Sequence, residues 1–139
     1  MEHVARISSS VMFVRDLGRS IEFYRDVFGC QPAILDLSAA LLLSPDGFQL
    51  YLVHRGDRAQ HPLGGIGVQY LIWAVESTDA RDHFEQVLND RGVRTSTHSS
   101  GGVEFLTAHD PDDIRVVIAH PSPRSLPRSL ISSHVFTSW

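Results

Sequence analysis

Four sets of residues in this 139-residue chain are of types that can do chemistry. His54 and His120 close two similar stretches, 44–54 and 110–120, and imidazoles at equivalent strand ends are donors that a metal ion takes. Their alternation is opposite to that of Tyr51 and Val117, and a His beside a turn is ordinarily solvated, so solvated side chains are expected there. His98, Glu104 and His109-Asp110 form a second set, suited to acid–base chemistry at one rim. Exposed hairpin polar residues are the simpler reading and the one expected. Tyr51 and Tyr70 form the third set. They could stack on a ligand or donate to it, or fill a core with one hydroxyl reaching water, and both readings stay open. Arg15 and Arg115 could pair with an anionic group but are expected to be solvated strand ends.

Such residues need elements to hold them, and the chain supplies one design twice. Ser44-Pro45-Asp46-Gly47-Phe48-Gln49-Leu50-Tyr51-Leu52-Val53-His54 matches Asp110-Pro111-Asp112-Asp113-Ile114-Arg115-Val116-Val117-Ile118-Ala119-His120 almost position by position. Each sets a Pro-Asp turn before an apolar strand and ends in His. An internal repeat fixes architecture before any single residue is interpreted. It extends upstream. After Val14-Arg15-Asp16, residues Leu17, Ile21, Tyr24, Val27 and Phe28 fall at helical spacing, with Asp16 as N-cap and Gly29 as a left-handed stop. After Val75-Glu76-Ser77, residues Ala80, Phe84, Val87 and Leu88 repeat the stripe, with Ser77 or Thr78 as cap and Gly92 as stop. Each half therefore reads strand, helix, three strands. The strands are expected at 7–15, 32–36, 39–44 and 48–54, then at 67–75, 93–97, 103–108 and 114–120. Residues 55–66, with Gly56, Pro62, Gly64 and Gly65, read as a linker. Ser99-Ser100-Gly101-Gly102 reads as a hairpin turn.

Composition bounds the function. Hydrophobic content of 42% and charged content of 20% are globular values. A net charge of −4, with no Lys/Arg run, leaves no electrostatic footprint for nucleic acid. The longest apolar runs, 39–43 and 71–75, are strand-length, whereas a membrane span needs about 20 residues. The N-terminus lacks a basic start followed by an apolar run, so no signal peptide is expected. Cys30 is alone, which excludes an intrachain disulfide and is compatible with a reducing compartment. A soluble, cytoplasmic protein is expected, with no nucleic acid or membrane partner. Its organisation reads as a single domain over 1–120, with modules at about 7–54 and 67–120, followed by an extension at 121–139. That extension has three prolines and six serines but also Leu126, Leu130, Ile131, Val135, Phe136 and Trp139. It is expected to pack on its own domain or on a partner chain.

Val14-Arg15-Asp16-Leu17, Ser20-Ile21-Glu22-Phe23-Tyr24, Phe28-Gly29 and the turn Asp110-Pro111-Asp112-Asp113 carry a resemblance. Over residues 7–120 the chain resembles the vicinal oxygen chelate superfamily, which includes glyoxalase I, extradiol dioxygenases, and fosfomycin and bleomycin resistance proteins. Asp113 stands where the family's Asp-Pro-Asp-Gly turn has Gly; Gly47 keeps that Gly in the first half. The resemblance implies an α+β glyoxalase-like fold: two βαβββ modules forming a partly open, curled, eight-stranded barrel-like sheet, helices outside, with inward residues lining a pocket. It also implies a homodimer, with the extension near the contact. One scaffold carries many chemistries, so function must come from the site.

In the family's metalloenzymes, His, Glu or Gln ligands come from the first and last strand of each module. Laid over this sequence, those positions fall on Ser9, Tyr51, Tyr70 and Val117. A divalent ion needs several N or O donors, with charge or imidazole lone pairs to offset dehydration. This set has neither imidazole nor carboxylate. Slipping the register by one residue rescues no site and reverses every strand's inside and outside. No metal and no cofactor are expected. The same parity turns Ser9, Val11, Phe13 and Arg15 inward, with Gln49, Tyr51 and Val53, then Tyr70, Ile72 and Ala74, then Arg115, Val117 and Ala119. Met12, Val14, Leu50, Leu52, Leu71, Trp73, Val75, Val116 and Ile118 should pack under the helices.

The expected function is metal-free binding of a small, partly aromatic organic molecule, similar to the bleomycin-resistance branch, with Ser9, Phe13, Gln49, Tyr51, Tyr70, Arg115 and Val117 as the ligand-binding residues. The alternative is a glyoxalase- or dioxygenase-type enzyme with a relocated metal or a metal-free acid–base mechanism. A third reading is a dimerising or regulatory module whose pocket is vestigial.

Overall fold

The computed structural model describes residues 7–56 and 68–125. Most of the expected linker, the N-terminal start and the apolar residues of the extension, Trp139 among them, lie outside the described residues. The chain divides into two compact units, Met1–His61 and Pro62–Trp139. The first runs β1 (Ser9–Val14), α1 (Leu17–Phe28), β2 (Gln31–Leu35), β3 (Ala39–Leu43) and β4 (Gln49–His54). The second runs β5 (Leu71–Ala74), α2 (Thr78–Asp90), β6 (Ser96–Ser100), β7 (Val103–His109) and β8 (Arg115–His120), then a 3-10 turn at Pro123–Ser125.

Each module makes its own four-stranded sheet, in the orders β1-β4-β3-β2 and β5-β8-β7-β6. The fold is α+β with two βαβββ modules, and the eight strands form two sheets, not one closed barrel. In both sheets the first and last strands pair in parallel, Ser9 beside Gln49 and Leu71 beside Val116, while the remaining pairs are antiparallel. Parallel neighbours need a crossover, and the helix provides it.

The helices start and stop where their chemistry dictates. The Asp16 carboxylate accepts from the Arg19 amide at 3.1 Å, and the Ser77 hydroxyl from the Ala80 amide at 3.0 Å. These are N-cap bonds that satisfy orphan donors of the first turn. Gly29 takes φ 71°, and its amide and that of Cys30 close on the carbonyls of Arg25 and Tyr24. Gly92 plays the same part after α2, at φ 77°. Helix α1 buries Phe23, Tyr24, Val27 and Phe28 against β2, β3 and β4. Phe23 meets Tyr24 edge-on at 5.1 Å, an arrangement that aromatic quadrupoles favour. Helix α2 buries Leu88 and packs on β7 and β8.

The two repeated turns share their main-chain bonds and one side-chain bond. The Ser44 and Phe48 main chains pair at 3.0 Å, those of Asp110 and Ile114 at 2.8 Å. The Ser44 hydroxyl accepts from the Phe48 amide, and the Asp110 carboxylate from the Ile114 amide. Gly47 has φ 90° and Asp113 has φ 63°. Two strands differ from expectation. β5 starts at Leu71, not at 67, and β6 occupies Ser96–Ser100, not 93–97. β6 is set by pairing with β7, Ser100 beside Val103, so the turn contracts to Gly101-Gly102.

Candidate functional site

The face of each sheet away from its helix gathers the expected site residues. In module 1 the registers arrange this face in three rows: Leu43, Gln49, Ser9; then Leu41, Tyr51, Val11; then Ala39, Val53, Phe13. The alternate residues Val14, Leu42, Leu50 and Leu52 are buried on the helix face. Val11 and Phe13 are 64% and 52% exposed, which is unusual for large apolar chains at the centre of a strand. In the first row the Ser9 hydroxyl donates to Gln49 Oε1 at 3.1 Å, and the Tyr51 hydroxyl donates to the same oxygen at 3.3 Å. In the third, the Arg55 guanidinium lies 4.5 Å from the centre of the Phe13 ring. One end of the face is therefore a fixed amide and the other a cation held on an aromatic ring.

In module 2 the equivalent face is buried along β7 and β8, whereas Ile72 of β5 is exposed. Val103, Phe105, Val117 and Ala119 form a core cluster, with Tyr70 packed on it. The His98 ring stacks on Phe105 at 5.4 Å. The Thr107 and Ser96 hydroxyls bond across strands at 2.6 Å. Arg115 opens β8 and is only 3% exposed, its guanidinium 5.0 Å from the Tyr70 ring centre. Burial pushes the Tyr70 phenol pKa up, partly offset by the Arg115 charge, so Tyr70 is a hydrogen-bond donor at neutral pH, not a base. Burial likewise lowers the Arg115 pKa from its ordinary value, opposed by Tyr70.

In module 1 the registers set Ser9, Gln49, Tyr51 and Phe13 on one face, and Ser9 with Gln49, and Tyr70 with Arg115, occupy matching places in the two modules. Three expectations need correction. Arg115 is not a solvated strand end, because it is buried at the start of β8 with its guanidinium on the Tyr70 ring; Arg15 is exposed as expected. His98 is half-buried on Phe105 and Asp110 is buried as a turn acceptor, so neither is an exposed hairpin residue. Glu104 alternates with Phe105 and instead meets Arg81 of α2 at 3.4 Å, so no acid–base group assembles from this set. His120 Nδ1 lies 3.0 Å from the Val75 carbonyl, joining the ends of β8 and β5, whereas His54 is exposed. Arg55, read as the start of the linker, was missed. Its signal was parity, since it continues the Gln49, Tyr51, Val53 alternation by one step.

The metal that the fold family implies does not suit these residues. Ser9, Tyr51 and Tyr70 offer hydroxyl oxygens in place of imidazole or carboxylate, Tyr70 lies under a guanidinium that would repel a cation, and Val117 offers only carbon. Among the described residues, no three His, Cys, Asp or Glu side chains gather as an ion would require. No helix among them is long and apolar enough to cross a membrane.

Solved structures share this fold. A glyoxylase/bleomycin resistance protein/dioxygenase domain from Frankia sp. EAN1pec aligns with TM-score 0.73 and 20% identity, over 84% of this chain and 98% of its own. A lactoylglutathione lyase from Agrobacterium tumefaciens aligns with TM-score 0.67 and 19% identity, over 84% and 93%. The fosfomycin resistance protein FosX from Listeria monocytogenes aligns with TM-score 0.69 and 16% identity, over 84% and 93%. At such identities the likeness is one of fold. Comparison with curated proteins gave no significant match. The family model described as Glyoxalase/Bleomycin resistance protein/Dioxygenase superfamily matches residues 1–118, most of the chain including both repeats, and the chain belongs to that superfamily.

Proposed function

We propose that the protein binds a small, partly aromatic organic molecule on the sheet faces that its helices leave uncovered, without using a metal, in the manner of the sequestering branch of the superfamily. The ligand-binding residues are Ser9, Phe13, Gln49 and Tyr51 in module 1; of the module 2 candidates Tyr70, Arg115 and Val117, the last two are buried, which leaves Tyr70. The observation that carries the reading is the hydrogen-bonded set Ser9–Gln49–Tyr51 beside exposed Val11 and Phe13. Apolar area with a few fixed polar groups is the usual make-up of a small-molecule site. Calorimetric titration with a panel of planar antibiotics tests it, with intrinsic fluorescence as a second signal. Saturable binding is expected, weakened about tenfold or more in Phe13→Ala and in Tyr51→Ala, a loss in line with removing an aromatic contact. No heat and no fluorescence change across the panel would sink it. So would a stoichiometric Zn, Ni, Mn or Fe in the protein as purified. The protein is also proposed to act as a homodimer. Ile34, Leu35 and Leu37, on and beside edge strand β2, leave large apolar side chains in water, as an interface would. Light scattering is expected to give twice the mass of one chain.

A further inference from the structure

Among the described residues, module 1's open face carries donors at both ends and no acid on the strands between them. From this we infer that its ligand is a flat organic anion, with the anionic group at Arg55 and a hydrogen-bond acceptor at Gln49. The inference rests on the small-molecule reading above and adds the chemistry of the ligand. Strands β1 and β4 run parallel, so their C-terminal ends coincide, Val14 beside His54, and the Arg55 amide donates to the Val14 carbonyl at 2.9 Å. Arg55 thus ends the sheet on the Phe13 side, its guanidinium laid over that ring. Its planar fork of N–H groups matches a carboxylate or sulfonate, and stacking restricts its freedom before the ligand arrives.

At the opposite end, Gln49 Oε1 takes both neighbouring hydroxyl protons. The amide is thereby oriented, and its two Nε2 hydrogens are what it offers a ligand. Gln49 and Val53 are four residues apart, so the two donor ends stand roughly 13 Å from each other. Val11, Tyr51 and Val53 make the apolar floor between them. None of the residues of β1, β2, β3 and β4 is Asp or Glu. The flanking carboxylates have other duties: Asp16 caps α1, Asp36 accepts from the Leu37 amide at 2.7 Å, and Asp46 accepts from the Ser44 hydroxyl at 2.5 Å. Among the described residues, a cationic ligand would find no counter-charge on the strands of this face and would meet a guanidinium. An anion finds the reverse.

The test uses three flat probes of one shape: anthraquinone carboxylate, its carboxamide, and the aminomethyl analogue, titrated by calorimetry. The carboxylate is expected to bind about tenfold tighter than the carboxamide, with the ammonium weakest. Arg55→Gln should erase that preference, the carboxylate losing about tenfold and the carboxamide markedly less. Arg55 is exposed, so the fold should survive, and circular dichroism checks this. Gln49→Leu should weaken all three alike, because each presents ring carbonyls. Equal affinities in the wild type, or a preference that persists in Arg55→Gln, would overturn the anion assignment while the small-molecule reading stands. Binding of no probe would overturn both.

Discussion

Cys30 shows how environment, not residue type, sets chemistry. It follows α1 and is buried, and desolvation, with Asp46 adding to it, pushes its thiol pKa up to about 11 from 9.0. A protonated, buried thiol is a poor nucleophile. Iodoacetamide is therefore expected to label the native protein slowly at pH 8 and rapidly in urea. The pH dependence follows from the same shift. The folded state keeps a proton that the unfolded state loses, so stability is full below pH 9 and falls as pH rises toward 11. The loss approaches about 2–3 kcal/mol for a shift of this size. Cys30→Ala should flatten that alkaline limb in pH-dependent urea melts. Other residues were less legible beforehand. Arg115 reads as solvated because a charge at a strand start usually is; its burial depends on a phenol brought in by the parallel pairing of β5 and β8. The bonds of Gln49 could not be read either, since they require the register that sets Ser9 beside it.

At the level of elements, the repeated turn supplies its own control. Gly47 and Asp113 occupy one place in two copies, both at positive φ, which L-residues adopt at a cost and glycine does not. Asp113→Gly should gain about 0.5–1 kcal/mol in urea unfolding. Gly47→Ala should lose about 1 kcal/mol. A Cβ at Gly47 meets nothing within 4 Å, so that loss would come from the backbone alone. Helix caps, stripes and strand parity were all legible, because each is written in a few neighbouring residues. β6 was not. Ser96–Ser100 has no apolar alternation, and its position comes from the hydroxyl and main-chain bonds that β7 offers it. The separation into two sheets was equally hidden, since one strand pattern serves a continuous sheet or a divided one.

For the whole molecule, stability should follow sheet order. β4 and β3 lie inside the first sheet, β8 and β7 inside the second, with β1, β2, β5 and β6 at edges. Amide hydrogen exchange is expected to be slowest in the inner four strands and faster by at least about tenfold in the edges, and a protected β2 or β6 in the monomer would contradict this. The parallel pairs have a further consequence. Val14 must wait for His54, and Leu71 for Val116, before either edge strand finds its partner. Each closure spans a long loop, a step that slows folding. Yet all pairings of the first sheet are complete by residue 54. On the ribosome, the N-terminal module could therefore acquire its native hydrogen bonds while the C-terminal one is still being made, which shortens the time its apolar strands spend exposed to other nascent chains.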